Sequence, residues 1–516
     1  MFGKVNCIAA AGIDGYVVEV EADVANGLPS FDMVGFLASE VKEAKERVRT
    51  ALRNSGYSMP PSRITVNLSP ADRRKQGNLF DLPIAIAILV AVGIIPQDYT
   101  ESTVFIGELG LNGQIRSVHG MLSLISKGKK AGIRRYIVPI QNAKEAAVIQ
   151  GVEIYGLNSL KETVQFLESP SKEYQVSVNP EDYLKIQEEG EVDFSEISGQ
   201  TIVKRAAEVA VAGMHNMLII GPPGSGKSML AKRIPTILPA LTLEESIEIS
   251  KIYSICGMLP EGEPLIRKRP FRSPHHTASP SSLIGGGIFP KPGEMSLADK
   301  GVLFLDELPE FQSTTLEVMR QPMEDRKVVI SRVYGSDTYP ADCLLLAAMN
   351  PCSCGYYPDR SICHCSMKQI RQYLGRISQP LLDRIDICVE SPRVHYEELH
   401  SKKTNETSAQ IRSRVEKAVQ MQKLRYKEEA ILFNSQLSGR QIEQYCELGA
   451  AEKELLRHVF HQMRLSVRAY DRILKVARTI ADLAEMETIT TEHLAEAITY
   501  RSLEQKFWDY GKKSEI

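Results

Sequence analysis

The stretch GPPGSGKS comprises Gly221, Pro222, Pro223, Gly224, Ser225, Gly226, Lys227 and Ser228. Glycines at this spacing let backbone N–H groups converge on phosphate oxygens, and a following helix N-terminus adds partial positive charge. Lys227 is expected to reach the β- and γ-phosphates of ATP, and Ser228 to ligate Mg²⁺. A second group, Asp306-Glu307, ends the apolar run GVLFL. An acid at a strand tip holds Mg²⁺, usually through water; the next acid polarises the water that attacks the γ-phosphate. Asn350, after CLLLAAM, is a candidate to orient that water. Arg376 and Arg384, in RISQPLLDRIDI, are candidate cations for the charge developing on the γ-phosphate. The alternative for either arginine is a surface ion pair.

Two further clusters stand apart from these. The loop RPFRSPHHTASPSSLIGGG fits neither a helix nor a strand period and begins among Arg267, Lys268, Arg269 and Arg272. Downstream, KVVISRV and TYPADCLLL read as a hairpin turning at Gly335-Ser336. Arg272, Lys327 and Arg332 are candidate phosphate-pairing charges for DNA. Tyr334 is a candidate to stack on a base, and His275 and His276 to contact phosphate or an adjacent nucleotide. The competing reading is a subunit-packing loop. The second cluster is Cys352, Cys354, Cys363 and Cys365, spaced C-x-C…C-x-C. Four thiols on one short loop suit tetrahedral Zn²⁺ in a closed, structural site, with His364 able to replace one of them. Incidental cysteines are the alternative.

These groups need strands and helices to place them. Met217–Ile220 is a short apolar strand before the phosphate loop and Ser228–Ile234 a helix after it, the order the loop requires. Val302–Leu305 is the strand under Asp306. The 516 residues accommodate roughly two to four domains. We read residues 1–167 as a mixed α/β domain, 168–192 as a linker, 193–395 as an α/β nucleotide-binding domain, and 396–516 as helical. Net charge is −2, so any nucleic-acid site depends on local clustering. Leu82–Ile95, the longest apolar run, is short for a membrane span and is expected to be a buried helix. The N-terminus does not read as a secretory signal. With nine scattered cysteines, this argues for a reducing cytoplasm.

Taken together, SGQ at Ser198–Gln200, GPPGSGKS, FRSPHHTAS, FLDELPEF, MNPC, LLDRIDI and LSVRAYDRILKVARTIADL resemble the AAA+ superfamily, in its magnesium-chelatase-like YifB/ComM branch. The resemblance spans nearly the whole chain. It implies that Lys227 and Ser228 are the Walker A pair, Asp306 and Glu307 the Walker B pair, and Asn350 the first sensor. It makes Arg384 an arginine finger acting on a neighbour's ATP, and Arg468 the second sensor of a helical lid. A finger in trans implies a homo-oligomeric ring, typically a hexamer. Residues 1–167 resemble the Lon-protease-type fold, but the serine's place holds Asn78–Phe80 and the lysine's place falls near Leu122. The domain is therefore expected to be non-catalytic, a means of assembly or partner binding. The resemblance implies an ATP-driven DNA translocase that remodels branched strands. A protein-remodelling motor is the alternative, and a protease is disfavoured.

Overall fold

Alternating apolar residues build the first half of the molecule. The computed structural model describes residues 1–58, 61–185, 192–260, 262–287, 290–332, 335–393 and 405–508. In β2 (Asp14–Asn26), Val18, Val20, Ala22 and Val24 point inward and their neighbours outward, as a pleated strand requires. It pairs antiparallel with β1 (Phe2–Ala11) across Gly12, where φ is +57°. With β3 (Ser30–Val34), β4 (Ser62–Ser69), β5 (Thr103–Phe105), β8 (Arg135–Pro139), β9 (Glu153–Leu157) and β10 (Gln175–Val176), they form an eight-stranded sheet. Its order is β10-β9-β8-β5-β1-β2-β4-β3. β6 (Glu108–Leu109) and β7 (Ile115–Arg116) form a separate short hairpin. Parallel neighbours β5, β8 and β9 are connected through helices Met121–Lys130 and Ile140–Ala147. The longest apolar run forms helix Asp81–Ala91, all 11 residues buried against β1 and β2. The segment expected to be a linker supplies edge strand β10 and helix Pro180–Lys185; residues 186–191 lie outside the described residues.

The second sheet is fully parallel, in the order β12-β15-β18-β11-β19. Its strands are β11 (Met217–Ile220), β12 (Phe271–Arg272), β15 (Val302–Leu305), β18 (Leu344–Met349) and β19 (Ile387–Glu390). β11, β15 and β18 are buried at every position, the continuous apolar pattern of strands covered on both faces. Two hairpins interrupt this domain. One joins β13 (Gly285–Gly286) to β14 (Lys291–Pro292); the other joins β16 (Lys327–Arg332) to β17 (Gly335–Pro340).

The second hairpin differs from expectation. Gly335 pairs with Arg332 and Ser336 with Ser331, so both lie within β17, not at a turn. Val328, Ile330 and Tyr339 must all face the core, and the two-residue side-chain period then fixes the register. Val333 and Tyr334 lie outside the described residues. TYPADCLLL is also two elements: β17 ends at Pro340, and β18 begins only after buried Asp342 has paired with Lys300 and Arg326.

The C-terminal region is helical, as its 3.6-residue period requires: Ser408–Arg425, Arg440–Tyr445, Ala450–Gln462, Val467–Leu483 and Thr491–Trp508. Helices Ser408–Arg425 and Val467–Leu483 pack on helix Thr201–Gly213, so this bundle and the parallel sheet share one core. Inside it, Asp482 accepts from Arg425, Arg478 and Asn434, and His215 bridges Thr479 to Asp386. Among the described residues no helix is long and apolar enough to cross a membrane.

Candidate functional site

The carboxyl ends of three adjacent strands, β11, β18 and β15, bring the expected groups together. In parallel α/β sheets this edge is where ligands bind. After β11 the chain passes through Gly224 and Gly226, at φ +75° and +86°, and enters helix Lys227–Arg233. A Cβ at either glycine would meet nothing within 4 Å. At Gly221 a Cβ would lie 2.4 Å from the Ser391 carbonyl, so that glycine is required by close packing against the end of β19. Lys227 Nζ donates to the Gly221 and Pro222 carbonyls, each at 2.8 Å, and to Asn350 Oδ1 at 3.2 Å. Burial pushes its pKa down, while Asp306 and Glu307 act the other way. The Ser228 hydroxyl donates to Asp306 Oδ2 at 2.7 Å. Asp306 Oδ1 accepts the Glu307 N–H at 3.0 Å. Glu307 has φ +53°, uncommon for a non-glycine residue, and its side chain is 57% exposed.

Behind the phosphate loop lies a cavity of about 520 Å³ lined in part by Ile197, Ser198, Gln200, Val203, Leu230 and Arg393. Gln200 closes it by donating to the Ser225 and Pro392 carbonyls, at 3.1 and 2.7 Å. Its apolar wall suits a nucleoside and its mouth opens on the phosphate loop. The Ser225 hydroxyl is buried with no partner among the described residues. The donor set fits a nucleotide with Mg²⁺: an amine, a glycine-rich backbone, and a hydroxyl beside a carboxylate.

Other expected residues lie elsewhere. Arg384 sits at the amino end of β19, and its carbonyl accepts from Asn216, the residue before β11. It is therefore one strand length from the phosphate loop of its own chain. Its guanidinium pairs with Glu324 and donates to the Arg320 and Pro380 carbonyls. Arg376 pairs with Glu310 at 2.9 Å. Arg468 is exposed at the start of helix Val467–Leu483 and is not brought to the cavity. That helix buries Ile473, Ala477 and Ile480 against the neighbouring helices, which leaves Arg468 on the solvent side. Arg393, which sequence reading passed over, lines the cavity and lies 4.7 Å from the Tyr356 ring.

The basic start of the glycine-ended loop requires a correction. Arg272 pairs with both carboxylate oxygens of Glu294, at 2.6 and 2.9 Å. Arg269 pairs with Glu245 and donates to the Pro239 and Lys300 carbonyls, and Arg267 pairs with Glu263. These half-buried guanidiniums hold β12 in place; neutralised within the chain, they do not form a free basic patch. Lys327 and Arg332 remain exposed and meet no carboxylate among the described residues. Arg332 donates to the Gly287 carbonyl at 3.3 Å, so the two hairpins lie side by side. The histidines stack on each other, with centroids 4.1 Å apart, and His276 Nδ1 lies 3.5 Å from Glu307 Oε2. Sequence separation hid that contact; only the adjacency of β12 and β15 creates it.

The four cysteines do converge: their Sγ atoms all lie within 4.8 Å of one another. In the first domain, Asn78 hydrogen-bonds to Arg47 and Glu108, and Leu122 is fully buried. Neither place carries an activated hydroxyl or a base.

A phosphate loop on one strand, an acid pair on a second and a polar sensor on the strand between them define an AAA+ nucleotide-binding domain, a class that implies ATP and Mg²⁺. Residues 193–399 match the family described as "Magnesium chelatase, subunit ChlI". Residues 20–142 match "Subunit ChlI of Mg-chelatase" and 405–501 "Magnesium chelatase, subunit ChlI C-terminal". The chain is 42% identical over 500 residues, 96% of each protein, to Competence protein ComM of Haemophilus influenzae. It is 40% identical over 499 residues, again 96% of each, to uncharacterized protein YifB of Escherichia coli. A shorter match, 26% identical over 202 residues, covers 35% of this chain and 36% of Lon protease 2 of Bacillus subtilis. The chain belongs to the magnesium-chelatase-like ComM/YifB family of AAA+ proteins.

Proposed function

We propose that this chain is an ATP-hydrolysing ring motor, active as a homo-oligomer, a hexamer-forming DNA translocase that moves branched or recombining strands. The observation that carries the reading is the split of the catalytic set. Lys227, Ser228, Asp306, Glu307 and Asn350 share one end of the sheet, whereas Arg384 stands at the other. One protomer thus holds the triphosphate, and its neighbour supplies the arginine. In this reading Lys227 pairs with the β- and γ-phosphates, Glu307 takes the proton of the attacking water, and Asn350 fixes that water's position. Ser228 and Asp306 would hold Mg²⁺, which neutralises phosphate charge. Arg468, which stands outside its own chain's cavity, would serve as lid sensor only toward a neighbouring protomer's nucleotide, and a structural Zn²⁺ on the four thiols completes the cofactors. The first domain serves assembly or a protein partner, not proteolysis.

The DNA part of the reading rests on the paired hairpins. Lys327 and Arg332 on the second, and Lys291 on the first, are exposed cations on two hairpins that lie side by side. The name of one relative, Competence protein ComM, accords with work on DNA. The test is the ATPase rate with single-stranded, duplex and branched DNA at stated salt. DNA is expected to stimulate turnover, and K327A/R332A to abolish the stimulation while sparing the basal rate. No stimulation by any DNA would favour the alternative, a protein-remodelling motor.

A further inference from the structure

The loop between Asn350 and helix Met367–Leu374 has no regular secondary structure, yet it packs against the phosphate loop at Pro223. Cys352 and Cys363 are buried, and the sulfur pairs Cys352–Cys354, Cys354–Cys363 and Cys352–Cys363 stand 3.3, 3.5 and 3.7 Å apart. Zn–S bonds of about 2.3 Å in a tetrahedron place sulfurs about 3.8 Å apart. The Cys352 sulfur accepts the Tyr357 N–H at 3.4 Å, and the Ser353 hydroxyl lies 3.5 Å from the Cys365 sulfur. Such outer hydrogen bonds orient thiolate ligands.

The same loop touches the phosphate loop. Gly355 has φ +87°, and a Cβ there would lie 2.5 Å from Pro223 Cδ and 2.8 Å from its Cγ. Pro223 is thus backed by the cysteine loop at its tightest point. Tyr356, the next residue, lies under Arg393 at the cavity, and Tyr357 packs edge-on against Phe507 of the last helix. Cys352 is two residues beyond Asn350.

We infer that Zn²⁺ held by Cys352, Cys354, Cys363 and Cys365 clamps this loop against Pro223, so that metal occupancy sets how firmly the phosphate loop grips nucleotide. The inference rests on the zinc reading above and adds a positioning role to it. The ion has no open coordination place and takes no part in hydrolysis. Its work is to fix four points of a segment that the chain alone leaves without helix or sheet.

The full-length chain is purified and its metal measured; one zinc per chain is expected. Exchange for Co²⁺ should give the visible absorption of a tetrahedral thiolate site. C363S/C365S should lose the metal and bind a fluorescent ATP analogue about tenfold more weakly. G355A, whose Cβ meets Pro223 and strains a backbone at φ +87°, should keep one metal per chain, measured on the same sample, yet show a similar loss. Protein that carries no metal and takes up no Co²⁺ overturns the inference at its root. Metal lost in the double variant with analogue affinity unchanged there and in G355A overturns the clamp, while zinc and the ATPase reading both stand. Failure of the native chain to bind the analogue would instead sink the ATPase reading.

Discussion

Glu307 is held in an uncommon conformation by its own neighbour. Asp306 Oδ1 accepts its N–H, and a positive φ of this kind costs on the order of 1 kcal/mol. The Glu307 carboxylate lies 3.5 Å from His276 Nδ1, whereas Asp306 holds the Ser228 hydroxyl. In the proposed mechanism the two acids divide the work, Asp306 beside the hydroxyl and Glu307 exposed to solvent. Glu307→Gln should cut turnover by at least about a hundredfold while ATP binding stays within about threefold. Single-turnover hydrolysis and equilibrium binding on the same variant check this; normal hydrolysis would remove Glu307 as the base. Lys227→Ala should instead abolish nucleotide binding, read by the same binding assay, since its amine is the group aimed along the phosphate loop. The types and spacing of these residues were enough to find them. The partner of His276 was not legible, because a contact across 31 residues exists only once β12 and β15 lie side by side. Arg272 was misread for the converse reason: its charge is visible in the sequence, but the carboxylate of Glu294 that neutralises it is not recognisable as a neighbour.

Between elements, the amino ends of β15 and β18 are tied by a buried acid. Asp299 Oδ1 accepts the Asp342 N–H at 2.7 Å, and Oδ2 has no partner among the described residues. Burial pushes the Asp299 pKa up to about 7, with Lys300 opposing the rise. A folded-state pKa above the ordinary aspartate value of about 3.9 means that ionisation disfavours the fold. The full contribution of the protonated acid is present below about pH 4 and is lost as the pH rises through about 7. Asp299→Asn keeps an acceptor for the Asp342 N–H and cannot ionise. Its melting temperature relative to the native chain should therefore rise between pH 4.5 and pH 8, which thermal unfolding at both pH values measures. An unchanged difference would mean that Asp299 does not titrate in this range. The strands themselves were legible from apolar runs such as VLFL and MLII. The hairpin register was not, since glycine and serine mark a turn only when the buried faces of both strands allow it.

At the scale of the assembly, the proposed ring assigns Arg384 to a neighbouring chain's nucleotide. The single chain holds it against Glu324, at the amino end of the sheet. Arg384→Ala should leave ATP binding intact and silence hydrolysis. Mixed in equal amounts with Lys227→Ala protomers, it should recover about a quarter of native turnover. Half of the sites then carry an intact phosphate loop, and half of those face an intact arginine. Turnover assayed across mixing ratios checks this; no recovery at any ratio would place the arginine's action within one chain.

The phosphate loop, the acid pair, Asn350 at a strand end and the four clustered thiols were legible in the residues alone, because each depends on residue type at short spacing and on the strand or helix that the local pattern builds. Three relations needed the folded chain: the cysteine loop backs onto Pro223, Arg272 of the basic loop is neutralised, and Arg384 stands at the opposite end of the sheet from the phosphate loop. Those are relations between surfaces far apart in the chain. They are set by strand order and buried packing, which no local stretch of residues encodes.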